Sequence, residues 1–298
     1  MTSLVEIYRR LPCGEAAIAH LERVRWSKGF FCPACGANTV SKKHEKNQQD
    51  RLQCWSCKRS HSATVGTIFH NSHIDLQRWF LLISLMLNAK KGLSSLQASR
   101  DLEMRQPTVW SMMHRIRAAM VDDGELLTGL VEMDEAYVGG KPRKENNKDD
   151  NEPKPRGRGT SKIPVVGAVE TGGRVKAKVI SKTELTGAEL EIIAREMIDV
   201  KRALLTTDEY SGYNRFNNFV AHRTINHSRE YVSVDLFGKL HTNTIESFWA
   251  ILKRAVIGQF HHVSRKYLPL YLREIVYRYN VRRSRSDLDG ILHLAIKP

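Results

Sequence analysis

The chain has no long apolar run. Its longest mostly apolar stretch, Trp79 to Leu87, covers nine residues with Ser84 inside it, whereas a membrane-crossing helix needs about 20. The first ten residues include Glu6 and no apolar segment, so the plan of a secretory signal is missing. Glycine is too sparse for a collagen-like repeat, and no other internal repeat is visible. Acidic residues are in deficit, with 32 Asp+Glu against 47 Lys+Arg. These absences exclude membrane-spanning, secreted and fibrous classes. They predict an intracellular, basic, soluble protein with no membrane partner.

What is present is a chain of 298 residues, 41% hydrophobic, with a formal charge of +15. That length and composition allow two or three domains with real cores. The positive excess points to a polyanion, because each Lys or Arg that neutralises a phosphate releases counterions. DNA or RNA is the leading partner. The excess is uneven: ten Lys/Arg stand against three Asp/Glu between Ile251 and Pro298.

Apolar spacing predicts helices over Glu15–Arg25, Ile74–Asn88, Ser94–Leu102 and Pro107–Met120, the last two opened by a capping serine and a proline. After Asp122-Asp123-Gly124 the pattern changes. Strand-like runs follow at Leu130–Val138, Pro164–Val169 and Val175–Ser181, then a helix from Thr186 to Asp199 and an apolar run at Ala203–Leu205. Strands alternating with helices predict an α/β domain. Lys141–Lys162 carries eight Lys/Arg, four Asp/Glu and three Pro with no apolar bulk, the composition of a mobile basic loop. The expected domains are 1–70, an N-terminal helix and a cysteine module; 71–122, a helical region; and 123–298, the α/β domain.

Four of the five cysteines form Cys32-x2-Cys35 and Cys54-x2-Cys57. Two such pairs, each on a tight turn, supply the four thiolates of a structural zinc ribbon. Cys13 is expected to be a small buried residue, and His44, His61 and His70 to be bystanders. The helices Ser94–Leu102 and Gln106–Arg117 have the layout of a helix-turn-helix. The second would present Gln106, Thr108, Ser111 and Arg115 to a major groove. Plain helical hairpins share this pattern, with Val109, Met112, Met113 and Ile116 as core.

Three carboxylates stand where a two-metal site would need them. Asp134 lies within a strand, Asp208 follows the strand ending at Thr207, and Glu246 sits near the start of a helix. Carboxylates brought together repel unless hard cations lie between them, and Mg²⁺ prefers such oxygens. Lys253, seven residues beyond Glu246, shares its helix face within about 20°. Glu132, Glu135 and Glu209 are rivals that periodicity does not separate.

Three motifs carry a family resemblance: Met133-Asp-Glu-Ala-Tyr-Val-Gly-Gly140, Thr207-Asp-Glu-Tyr-Ser-Gly-Tyr213 and His241-Thr-Asn-Thr-Ile-Glu-Ser-Phe-Trp249. With Gly258-Gln-Phe-His-His262 and Tyr277–Arg283, they resemble the DDE transposases of bacterial insertion sequences that carry an N-terminal zinc ribbon. The likeness spans nearly the whole chain. It implies a multidomain protein: a small zinc ribbon plus helix-turn-helix, then an α/β RNase H-like domain with a basic helical C-terminal tail. It also implies that Asp134, Asp208 and Glu246 bind catalytic Mg²⁺ or Mn²⁺, and that Lys253 is the basic residue that follows. Asn243, one turn earlier, is the alternative third ligand, and a carboxylate is the stronger one. The implied activity is cleavage and strand transfer at transposon ends by a homo-oligomer on double-stranded DNA. Two rivals predict otherwise: a DNA-binding regulator with an inert α/β domain, and an RNase H-like nuclease that does not join.

Overall fold

The computed structural model describes residues 3–43, 51–122, 124–139, 162–225, 233–235, 238–240, 243–282 and 288–296. The expected basic loop 141–162 lies outside them except for Lys162. The chain divides into two compact units, Met1–Val121 with Val281–Pro298, and Asp122–Asn280. Among the described residues no helix is long and apolar enough to cross a membrane.

The first unit begins with α1 (Leu4–Arg10), capped where Ser3 Oγ accepts the Glu6 N–H at 3.1 Å, and α2 (Gly14–Arg25). Three short antiparallel strands follow in the order β1 (Val40–Lys43), β2 (Arg51–Cys54) and β3 (Ser60–His61). Then come α3 (Leu76–Asn88), α4 (Ser95–Asp101) and α5 (Gln106–Ala119). Asp75 and Ser94 cap α3 and α4 through their side chains, which accept backbone N–H groups the helices leave unpaired. The core gathers on α3, whose Trp79, Phe80, Leu82, Ile83 and Met86 are buried, with Phe69 edge-on to Trp79 and Phe80. Val109, Met112, Met113 and Ile116 of α5 are buried as well.

The final helix, α9 (Leu288–Ala295), belongs to this first unit and not with residues 123–280, as the boundary 123–298 expects. Its Asp289 Oδ1 lies 2.7 Å from His20 Nε2, and the Ala295 carbonyl accepts the Ile68 N–H at 3.1 Å. The apolar side chains Leu288, Ile291 and Leu292 are buried, which is the physical reason the chain returns: an amphipathic helix this short needs a face to cover it.

The second unit is built on five strands in the order β6-β5-β4-β7-β8: β4 (Leu127–Val138), β5 (Ile163–Glu170), β6 (Val175–Val179), β7 (Ile198–Thr207) and β8 (Ala221–Thr224). β5 and β6 run antiparallel, whereas β4, β7 and β8 are parallel. The β4–β7 register shifts between Leu127↔Ile198 and Gly129↔Ala203, with the extra residues on β7, and Gly129 has φ of 70°. Because side chains alternate along a strand, Glu132 and Asp134 share one face of β4 and Glu135 takes the other. Val131 and Met133 face α6 (Gly187–Met197), joined by Tyr213 and Phe216. Ala136 and Val138 face α7 (Asn243–Arg254) and α8 (Leu268–Val281). A two-stranded hairpin, β9 (Ser233–Asp235) with β10 (Gly238–Leu240), precedes α7.

The residues assigned to a basic tail therefore do two other things. α7 and α8 cover one face of the sheet, and α9 folds into the first unit. Phe248 of α7 is fully buried and meets Tyr279 of α8 edge-on at 5.3 Å. Replacing Phe248 by Ala should cost about 3–5 kcal/mol in denaturant unfolding of this unit. Replacing the exposed Ile257 by Ala should cost under about 0.5 kcal/mol; equal, small effects would mean that α7 is an appendage.

Candidate active site and zinc site

Asp134 and Asp208 come together through the parallel β4–β7 pair. The ladder runs from Gly129↔Ala203 to Glu132↔Thr206; Asp134 stands two residues further along β4, and Asp208 directly follows the end of β7 at Thr207. Parallel neighbours lie about 4.8 Å apart and share a face, so both carboxylates belong to the side covered by α7. Burial, followed by the charges of Glu135 and Asp208, pushes the Asp134 pKa up to about 7. Asp208 Oδ1 accepts the Tyr210 N–H at 3.1 Å, which turns the chain as it leaves β7. Behind it, Thr207 Oγ1 bonds the Asp208 carbonyl and lies 2.9 Å from His222 Nε2 of β8.

The three rivals now separate. Glu132 is 2% exposed, and its Oε2 accepts the Ile245 N–H at 2.9 Å, at the N-terminus of α7. Glu135 points to the opposite face and accepts the Tyr213 hydroxyl at 2.5 Å. Glu209 is exposed. Trp249 of α7 donates its indole N–H to Asp134 Oδ2 at 3.0 Å. Gly167, paired with Asp134 across β4–β5, makes room for that ring, since a Cβ there would meet Trp249 Cη2 at 2.7 Å. The sequence presented Trp249 only as the end of the His241–Trp249 motif, and offered no signal for Gly167 or His222.

Glu246 lies in the first turn of α7, three residues before Trp249, and is exposed, as are Asn243 and Lys253. Among the described residues, the only group of three or more His, Cys, Asp or Glu ligand atoms close enough to hold a metal is the four cysteines. The structure therefore brings Asp134 and Asp208 together and leaves Glu246 one helical turn from the indole that binds Asp134.

The cysteine site is closed. The Sγ atoms of Cys32, Cys35, Cys54 and Cys57 all lie within 4.8 Å of one another, with Cys32–Cys57 and Cys35–Cys54 both at 3.7 Å. A tetrahedron of Zn–S bonds of about 2.3 Å has edges of about 3.8 Å, so the donor set fits Zn²⁺. Each knuckle turns through a left-handed residue, Gly36 and Lys58. The Cys57 N–H points at Cys54 Sγ at 3.5 Å and, with the Ser56 N–H, lowers the Cys54 pKa to about 6. His61 is no bystander: its Nε2 is 3.4 Å from Cys32 Sγ, and burial holds its pKa low. A thiolate can only accept, so a neutral His61 must carry its proton on Nε2. Cys13, expected to be buried, is exposed at the cap of α2.

Of the four residues expected to reach a major groove, Ser111 is exposed and Thr108 half-buried. Gln106 Nε2 bonds Ser95 Oγ at 2.6 Å. Arg115 donates to the His70 carbonyl at 2.6 Å and lies over the Trp79 ring at 5.3 Å. In this conformation its guanidinium ties α5 to α3.

Comparison with known proteins matches residues 126–280 to the ISXO2-like transposase domain and residues 14–60 to a transposase zinc-ribbon domain. The chain is 29% identical over 289 residues, 93% of its own length and 95% of the relative's, to an uncharacterized protein in transposable element ISH50 of Halobacterium salinarum. Solved structures superpose loosely. A Mos1 transposase paired-end complex with the left transposon end matches at 15% identity, over 72% of this chain and 73% of that one, with a TM-score of 0.33. A mariner Mos1 paired-end complex with Mg matches at 11% identity, over 98% and 91%, with a TM-score of 0.28.

Because the zinc site closes the ribbon, chelation should unfold it and not merely strip an ion. Circular dichroism during zinc removal should show loss of ordered structure that returns on adding Zn²⁺. An unchanged spectrum in zinc-free protein would contradict this.

Proposed function

The chain belongs to the ISXO2-like transposase domain family, and on that premise we propose that it is a DNA transposase that cuts the ends of its element and joins them to target DNA. The observation that carries the reading is the Asp134–Asp208 pair on neighbouring parallel strands, with the Asp134 pKa raised to about 7. Two carboxylates on neighbouring strands, one of them buried, repel each other, and oxygen donors of that kind suit a hard divalent cation. Asp134 and Asp208 would hold Mg²⁺ or Mn²⁺, with Glu246 as the third ligand from α7. When bound, the ion supplies charge stabilisation to the attacking and leaving oxygens of an in-line displacement at phosphorus.

The chain's own groups do the rest. Glu132 and Trp249 hold α7 against the sheet, so that Glu246 stands near the pair. Lys253, exposed and two turns further along, holds a DNA phosphate in reach. The strand order, three antiparallel strands followed by two parallel to the first, supports an RNase H-like domain. The zinc ribbon and the α4–α5 pair would bind transposon ends, with the exposed Ser111 and the half-buried Thr108 of α5 as contacts. Gln106 and Arg115 would have to leave their present partners to take part. The basic loop 141–162 would follow the phosphate backbone. Transposition must hold two ends at once, so the active form is a homo-oligomer on DNA.

With Mg²⁺ and DNA carrying the element's ends, the wild type should cleave and join. Asp208→Asn should bind the same DNA and lose both products by at least about 10³-fold, the share of several kcal/mol of charge stabilisation. Binding by both proteins with no products from either would contradict the reading and favour a DNA-binding regulator. Cleavage by the wild type without joining would favour a nuclease.

A proton and a metal ion compete for Asp134. Since its pKa is raised to about 7, the proton is bound below that pH and must be displaced. Titration calorimetry should show Mn²⁺ affinity falling about tenfold per pH unit below about pH 7 and levelling off above it. A flat profile across that range would contradict Asp134 as a ligand.

A further inference from the structure

The first unit holds a cavity that neither the zinc site nor the carboxylates use. Trp26 ends α2, and Gly29, with φ of 106°, turns the chain so that Phe30 and Phe31 emerge 41% and 37% exposed. They open onto a cavity of about 660 Å³, whose wall is completed by Asn38 and by His293 and Ile296 at the C-terminal end of the chain. Cavities of about 300–1,000 Å³ are the size that takes small organic groups. Lys28 stands exposed at the rim. Lys42 Nζ lies 5.7 Å from the Phe30 ring centroid while also pairing with Glu22, and the Trp26 ring packs 5.5 Å behind Phe30. Arg25 is not a rim cation: its Nη1 donates to the Ala63 carbonyl at 2.5 Å.

Exposed aromatic rings beside a cation and two hydrogen-bonding side chains have the chemistry of a nucleobase site. Rings give a stacking face that accepts any base, an amide and an imidazole reach base edges, and a lysine meets the phosphate. A duplex groove or backbone would be better served by a row of cations than by two phenylalanines. We propose that this cavity binds an unpaired DNA base, with Phe30 and Phe31 as the stacking surface, Lys28 on its phosphate, and Asn38 and His293 at its edge. The proposal rests on the transposase reading only in that strand cleavage creates unpaired ends. Single-strand binding is measured without any cleavage.

The test is fluorescence anisotropy of the full-length, zinc-loaded protein with a labelled oligo-dT strand and, separately, a labelled duplex. The variant with Phe30→Ala and Phe31→Ala should bind oligo-dT about tenfold or more weakly. Duplex affinity should be unchanged, and Phe30→Tyr with Phe31→Tyr should restore single-strand binding. No loss, or an equal loss for both DNAs, would overturn the proposal. Were the alanine variant to lose its zinc, Ile296→Trp adds bulk to the cavity lining from the end of α9, and unchanged oligo-dT affinity in that protein would overturn it equally. Cleavage by the wild type alongside unaffected oligo-dT binding would sink the cavity alone. Stacking through Phe30 and Phe31 without cleavage would sink the transposase reading and leave the cavity standing.

Discussion

Glu132 sits 2% exposed in the middle of a sheet, where a carboxylate is costly unless its oxygens are bonded. It accepts the Ile245 N–H, one of the donors that the N-terminus of α7 leaves unpaired, where the helix dipole also favours negative charge. Two residues along the same face of β4, Asp134 takes the Trp249 indole of the same helix. One strand thus grips one helix at two points a turn apart. Phe248 and Leu252 fill the space beneath with apolar bulk, and Gly167 leaves the gap the indole needs. This grip sets the phase of α7, and with it the position of Glu246 three residues before the indole.

The same arrangement stores electrostatic tension. Asp134 faces Asp208 from the neighbouring strand, while Glu135 adds charge from the other side of β4 and is itself tied to Tyr213. The fold removes water and concentrates like charge, which raises the affinity of Asp134 for a proton. The zinc site resolves a similar crowding differently. Four thiolates gather on two knuckles whose backbone N–H groups and His61 already point toward sulfur.

Much of this was legible in the residues. The capping Ser94, the opening Pro107 and the 3.6-residue spacing of Leu76–Leu87 and Val109–Ile116 gave α3, α4 and α5 within a residue or two. The paired cysteines gave the ribbon. β8, four residues at Ala221–Thr224 with no alternation of burial, leaves no periodic trace, and α1 is too short for one. Among the acids, spacing alone could not separate Asp134 from Glu132 and Glu135. Glu132 and Asp134 share the face toward α7, and only their partners there, the Ile245 N–H and the Trp249 indole, tell them apart. The return of α9 rests on contacts such as His20–Asp289, 269 residues apart, which no local pattern encodes. Arg115 reads as a DNA contact until Trp79 and the His70 carbonyl are seen beside it.

The central claim is that β4 and β7 hold a divalent cation between Asp134 and Asp208, with α7 closing the site. Anomalous diffraction from crystals grown with Mn²⁺ tests it most directly. The account predicts a manganese peak ligated by oxygens of both aspartates, with Glu246 as the nearest further carboxylate. A peak held by Glu135 or Glu209 without Asp134, or no peak at saturating Mn²⁺, would contradict it.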